Sequence, residues 1–366
     1  MSQRGGFGRS SRWLGLAAAV MCSAAAASAN MVLIPRVTTD DPPIIAKDVA
    51  ELLFPVSPSA CQAKAVKTAD VGNADPAELR TLVSCMISER YGAPPNDAST
   101  GPVSKKSRSK NAVRDRLLAL YADTGDVMAP GQPDNMDGGY RGIIKLVPVE
   151  PGADPKHLAW VIAALRDYDA FFTQLAEATR TEVRTDNDGP NNAFGFRWRA
   201  LTVRFVRSEK KRTPAAFAML WTVTYNIAGS LHRSSDAVRE TLFHEVFHMN
   251  DFAHKGWSAN ALRTDYDAIL RQCSKAKNRT ACFAPYAPGT IKVRGGTYYA
   301  FTLGNGDSVH EYGAELALRY YVEQREMLRR GKLSQKAFKC GPVENARSWD
   351  ALVKEFFVGR DLVPAC

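Results

Sequence analysis

Residues 241–254 read TLFHEVFHMNDFAH, and they hold three of the six histidines in a chain of 366 residues. Ser234, Ser235 and Asp236 stand just upstream as helix-capping residues. Val238, Leu242, Val246 and Met249 then recur at i, i+4, i+8 and i+11, so the spacing predicts an amphipathic helix through the stretch. On that helix His244 and His248 are four apart, and both imidazoles project from one face.

Two imidazoles so placed can close on a single ion at about 2.0–2.1 Å each. Glu245 is one step from His244, which sets its carboxylate beside such an ion rather than on it, where it can accept a proton from water. The pattern H-E-x-x-H resembles that of zinc metallopeptidases. A third ligand is then required. His254, six residues beyond His248, reproduces the spacing of the metzincin motif, but Asp251 stands where that motif has glycine, and the one methionine after Met249 is Met327, in a helical context rather than a methionine turn. The stretch VHEYGAELALRYY at 309–321 offers Glu311 and Glu315 four apart on a second helix.

That second pair resembles the gluzincins, the clan of thermolysin-like enzymes, over residues 244–248 and 311–315. The resemblance implies Glu311 as third metal ligand and Glu315 as the carboxylate that orients a histidine. His254 is the next choice, with His310 and Glu315 behind it. It further implies Zn2+ as cofactor, a peptide or protein substrate, and a strand ahead of the helix, 221–227, that binds substrate as an added edge strand. A donor to the developing oxyanion is also needed, and Tyr299 is preferred over Tyr298 and Tyr312. His157 and His232 belong to no pattern and read as surface residues.

Working outward, residues 155–180 carry one long helical period. Leu201, Val203 and Phe205, then Val223, Tyr225 and Ile227, alternate with polar residues and predict two half-buried strands. Residues 40–92 are helically patterned, with Asp75 and Pro76 as a start and Gly92 as a stop. Residues 93–112 are rich in Pro, Gly, Ser and basic side chains, including SKKSRSK at 104–110, and read as a linker or exposed loop. The expected organisation is a signal peptide at 1–29, a helical segment with basic linker at 30–112 that could be a propeptide, and a catalytic domain at 113–366. The expected fold is α+β, a mainly helical zincin-like metallopeptidase with a small sheet packed on the HExxH helix.

The signal reading rests on Arg4, Arg9 and Arg12 ahead of an apolar, alanine-rich run that ends at Ala27-Ser28-Ala29. It predicts a secreted or periplasmic protein with no stable membrane insertion. Removing it leaves six cysteines, an even number that suits an oxidising compartment, with 61–85, 273–282 and 340–366 as the nearest-neighbour pairing. The formal charge of +10 includes those three arginines and no acid from the first 29 residues, leaving about +7. Without aromatic side chains interleaved among the cations, that charge gives no nucleic-acid site. The contrasting expectation is an exported binding protein that does no chemistry, with a structural or vestigial metal site.

Overall fold

The computed structural model describes residues 46–55, 59–61, 76–92, 105–137, 142–179, 195–198, 200–293, 297–302 and 308–366. The stretch read as a signal peptide lies outside them. The described residues belong to one compact unit. None of their helices is long and apolar enough to cross a membrane.

Three helices lead in: α1 (Ala46–Leu53), α2 (Pro76–Tyr91) and α3 (Lys105–Thr124). α2 begins and ends where Pro76 and Gly92 predict. α3 differs from expectation, because it starts inside the basic stretch read as a linker. Lysine, arginine and alanine are good helix formers, and Leu117 and Leu120 bury themselves to hold the helix down. Val49, Leu53, Met86 and Ile87 from the first two helices enter the same apolar core as the rest of the chain. The Tyr91 hydroxyl donates to the Met128 carbonyl at 3.0 Å, tying α2 to the sheet.

The sheet comprises β1 (Val127–Pro130), β2 (Asp134–Asp137), β3 (Ile143–Pro148), β4 (Thr202–Ser208), β5 (Ala216–Met219) and β6 (Thr222–Asn226). Its order is β2-β3-β4-β6-β5, with β1 also on β4. β4 is the axis. It runs parallel to β6, with Val203 opposite Val223, and parallel to β1 through its first residues, while its end pairs antiparallel with β3. The alternation seen in the sequence holds: Val203, Phe205, Val223 and Tyr225 face the core.

The edge strand is not where the sequence placed it. β6, within 221–227, is flanked by β4 and β5, so β5 is the outer strand on that side. β5 and β6 form a hairpin in which Met219 pairs with Thr222, leaving Leu220 and Trp221 as the two connecting residues. Both have positive φ, 51° and 59°. Such a turn favours Asn-Gly, and Leu-Trp gives no sign of it.

α4 (Pro155–Ala178), capped by Asp154, meets β6 through its first turn and is followed after β6 by α5 (Ser235–Ala253), α6 (Arg263–Ser274), α7 (Arg279–Phe283), α8 (Ser308–Arg330) and α9 (Val343–Phe356). The protein is thus mainly helical with one mixed sheet. The three cystines are Cys61–Cys85, Cys273–Cys282 and Cys340–Cys366, as the nearest-neighbour reading predicts. They fit an oxidising compartment.

His157 and His232 are not surface residues: each is 6% exposed. The cause is Tyr225, whose inward position in β6 brings its hydroxyl within 2.6 Å of His157 Nδ1 and its ring 4.1 Å from the His232 ring in a stacked arrangement. His232 Nδ1 lies 2.9 Å from the Asn226 carbonyl. Burial pushes the His232 pKa down to about 4. Below pH about 6.5 the unfolded chain takes a proton that the folded chain refuses, so stability is lost as pH falls from about 6.5 to about 4, by about 3 kcal/mol from this residue. His157 is lowered as well, by burial first, with Lys156 and Arg207 adding and Asp154 opposing. We expect His232→Phe, which keeps a ring against Tyr225, to flatten the fall in thermal midpoint between pH 7 and pH 4.5. A slope equal to that of the parent protein would show that His232 does not titrate on unfolding.

Candidate metal centre

α5 carries the H-E-x-x-H stretch, and its predicted start is observed: the Ser234 side chain caps it by accepting from the Ala237 amide. Val238, Leu242, Val246 and Met249 are all buried. Phe243, next to His244, stacks on Phe196 at 5.4 Å and on Tyr321 of α8 at 4.4 Å. That stack holds α5 and α8 side by side. Asp167 of α4 ties α8 to α4, accepting from the Tyr321 hydroxyl at 2.6 Å and from two nitrogens of Arg325 at 3.0 Å.

Two glycines permit the close approach around α8. A Cβ on Gly313, between the two glutamates, would lie 2.1 Å from Ser258 Oγ and 3.3 Å from the Phe247 ring. A Cβ on Gly289 would lie 1.6 Å from Glu315 Oε2. Bare backbone at these two places lets the acidic face of α8 reach the histidines of α5.

His244, His248 and Glu311 converge, the only such group among the described residues placed to hold a metal ion. His244 Nε2 is 3.1 Å from His248 Nε2 and 3.1 Å from Glu311 Oε2, and His248 Nε2 is 3.5 Å from the same oxygen. Ligands about 2.0–2.1 Å from a tetrahedral ion stand roughly 3.3 Å apart, so the three donors already have the spacing of a shared ion. On the other side of the His244 ring, Nδ1 is 3.3 Å from Glu315 Oε1. A proton on Nδ1 directed at Glu315 leaves the Nε2 lone pair facing the centre.

The electrostatics favour a cation. Burial would push the His244 pKa down, but its hydrogen bonds to Glu311 and Glu315 outweigh burial and hold it well above the usual value. Glu311 is held far below the carboxylate range: burial acts against this, and the hydrogen bonds from His244 and His248 overcome it. Positive charge is thus retained between two carboxylates in a largely buried site, a place that a dication can take over from protons. Glu245 is 9% exposed, and its pKa is raised, chiefly by burial.

The other candidates fall elsewhere. His254 sits at the end of α5 and turns away, its Nδ1 2.6 Å from Glu355 and its Nε2 3.1 Å from the Gly195 carbonyl. α5 runs through Asp251 to Ala253, and positive φ appears only at Lys255 and Gly256. No turn at 251 swings His254 back, so the metzincin arrangement is absent. His310 pairs with Asp251 through Nδ1. Among the tyrosines, Tyr299 lies with its ring 6.1 Å from that of His244. Tyr298 sits under the Lys292 amine and Tyr312 is fully buried against Ser348. Sequence reasoning overlooked Gly289 and Gly313. Gly313 stood in plain view between Glu311 and Glu315, where a helix-weakening residue asks for a packing reason.

No protein-family model, curated protein or solved structure matches the chain. What the site can do therefore rests on its own geometry: three convergent side chains that could hold a metal ion, with Glu315 against the far nitrogen of His244.

Glu311→Gln removes the anionic donor and should weaken metal binding by tens-fold. Gly289→Ala should do so by about 10-fold or more through displacement of Glu315, with His254→Ala unchanged. Chelator competition on the purified variants measures all three. Loss of metal from His254→Ala alone would mean that the ligand set is drawn wrongly.

Proposed function

We propose that the protein is an exported zinc-dependent peptidase of gluzincin type, with a zincin-like arrangement of helix α5, helix α8 and sheet. The observation that carries this reading is the convergence of His244, His248 and Glu311 at ligand spacing, with Glu315 behind His244 and Glu245 near enough to all three to feel their charge. Two imidazoles and one carboxylate form a donor set that suits zinc. Bound there, zinc supplies Lewis acidity toward a substrate carbonyl.

The chain's own residues do the remainder. Glu245 accepts a proton from the attacking water and returns it to the leaving amine. Tyr299, beside His244, donates to the oxygen that gains charge. β5 takes the substrate-binding role assigned to 221–227, since it is the outer strand next to β6 and an extended peptide can add to it. Glu315 keeps His244 in the ligating tautomer.

A structural metal site is closed by four protein ligands, whereas a catalytic one keeps a position open. Here three donors converge, and the side chains of His248 and Glu311 remain 24% and 20% exposed. Solvent therefore reaches the centre, which favours chemistry over a purely structural role. The three cystines add to the case for export.

Glu245→Gln separates the readings. It leaves every donor in place, so zinc content should stay near one per chain while hydrolysis of an unstructured protein substrate falls by about 10²–10⁴-fold. Unchanged cleavage by Glu245→Gln would remove Glu245 from the mechanism. Zinc-loaded parent protein that cleaves no member of a broad peptide library would favour the binding-protein reading.

A further inference from the structure

Asp251 occupies the position that the metzincin pattern gives to glycine, and the peptidase reading leaves it without a role. Its side chain is nonetheless heavily engaged. Asp251 is 2% exposed, one carboxylate oxygen accepts from the Ser258 amide at 2.7 Å, and the other meets His310 Nδ1. Its carbonyl accepts from the Gly256 amide at 2.8 Å. Gly256, at φ 70°, brings the turn after α5 under His310, where an added Cβ would lie 3.5 Å from the ring.

The connection matters because of what lies on either side. Asp251 is three residues beyond His248, on the helix that carries both histidine donors, and His310 directly precedes Glu311 in the first turn of α8. One buried carboxylate thus fastens the histidine helix to the helix end that presents the third donor. Gly313 and Glu315 fix α8 further along, one against Ser258 and Phe247, the other against His244. At the N-terminal end, beside Glu311 itself, the fastening is His310 to Asp251.

Resting on the metal-centre reading, we infer that the Asp251–His310 pair is a positioning device that sets Glu311 at ligand distance from His244 and His248. Ligand distances in a metal site tolerate only about 0.2 Å, so a first turn released by a few tenths of an ångström forfeits affinity. Hydrogen-bonded supports behind ligands are commonly worth 10–100-fold in metal affinity. Asp251 and His310 act through Glu311 and touch no substrate.

The test uses the full chain and zinc alone. His310→Ala, His310→Asn and Asp251→Ala are compared with the parent protein by chelator competition for zinc, by the visible spectrum of the cobalt-substituted forms, and by the thermal midpoint without metal. His310→Ala should weaken zinc binding by about 10–100-fold and alter the cobalt spectrum. His310→Asn should restore affinity to within about threefold, because its amide nitrogen can stand where Nδ1 stands and donate to Asp251. A general packing role would not distinguish asparagine from alanine in this way. Asp251→Ala should match His310→Ala, and the double variant should lose little more than either single one. Should Asp251→Ala fail to fold, the alanine–asparagine contrast at His310 decides alone. Zinc affinity in His310→Ala equal to that of the parent, or equal weakness in His310→Asn, overturns the inference. A parent protein that binds no zinc overturns this inference together with the metal-centre reading, whereas unaffected variants of a zinc-binding parent overturn this inference only.

Discussion

Everything at the site depends on how near α8 comes to α5. The two helices are far apart in the chain; Gly313 of α8 leaves room for Ser258 and Phe247, and Gly289, outside both helices, leaves room for the Glu315 carboxylate. The aromatic stack of Phe196, Phe243 and Tyr321 supplies the apolar attraction at that interface. Asp167 then anchors α8 through Tyr321 and Arg325, and its carboxylate is held below the usual range by those hydrogen bonds in spite of burial. Attraction from the rings, together with clearance at Gly313, brings the helices to the spacing at which the three polar donors converge.

Convergence of this kind opposes the ordinary tendency of a folding chain to keep charge in water. Glu315 is 3% exposed and His244 8%. Such burial is costly unless the groups satisfy one another. Here they do so in a chain running from Glu315 through His244 to Glu311 and His248. Each member is oriented by the next, so geometry and electrostatics reinforce each other. The pair of buried Asp251 and partly exposed His310 continues the same polar layer one turn further along α5.

Much of this was legible in the sequence, because the elements that build the site are long and periodic. α4 announces itself by helical spacing, α5 by caps and helical spacing, β4 and β6 by alternation, and the donors by their four-residue intervals. The misreadings share a cause: they concern residues whose place is set by partners distant in sequence. β5 escaped notice since it is four residues long, ends in the exposed Met219, and turns through Leu220 and Trp221 rather than through Asn-Gly. His157 and His232 lack any spacing signal, and their burial follows from the inward Tyr225. Asp251 counted rightly against the metzincin pattern, but its contact with His310, 59 residues away, carries no spacing signal. The basic stretch that opens α3 looked like a linker because composition alone does not register the anchoring done by Leu117 and Leu120.

The cystines join neighbours along the chain, with separations of 24, 9 and 26 residues. The entropy of closing a loop grows with the logarithm of its length, at about 1.5 RT per natural-log unit. A crossed bridge between Cys85 and Cys273 would have to close a loop several times longer than any of these. In an unfolded, reduced chain the native pairs therefore meet more often than such crossed pairs, by roughly an order of magnitude or more. Oxidation is thereby biased toward these local pairings over the long-range crossed ones before any tertiary structure exists.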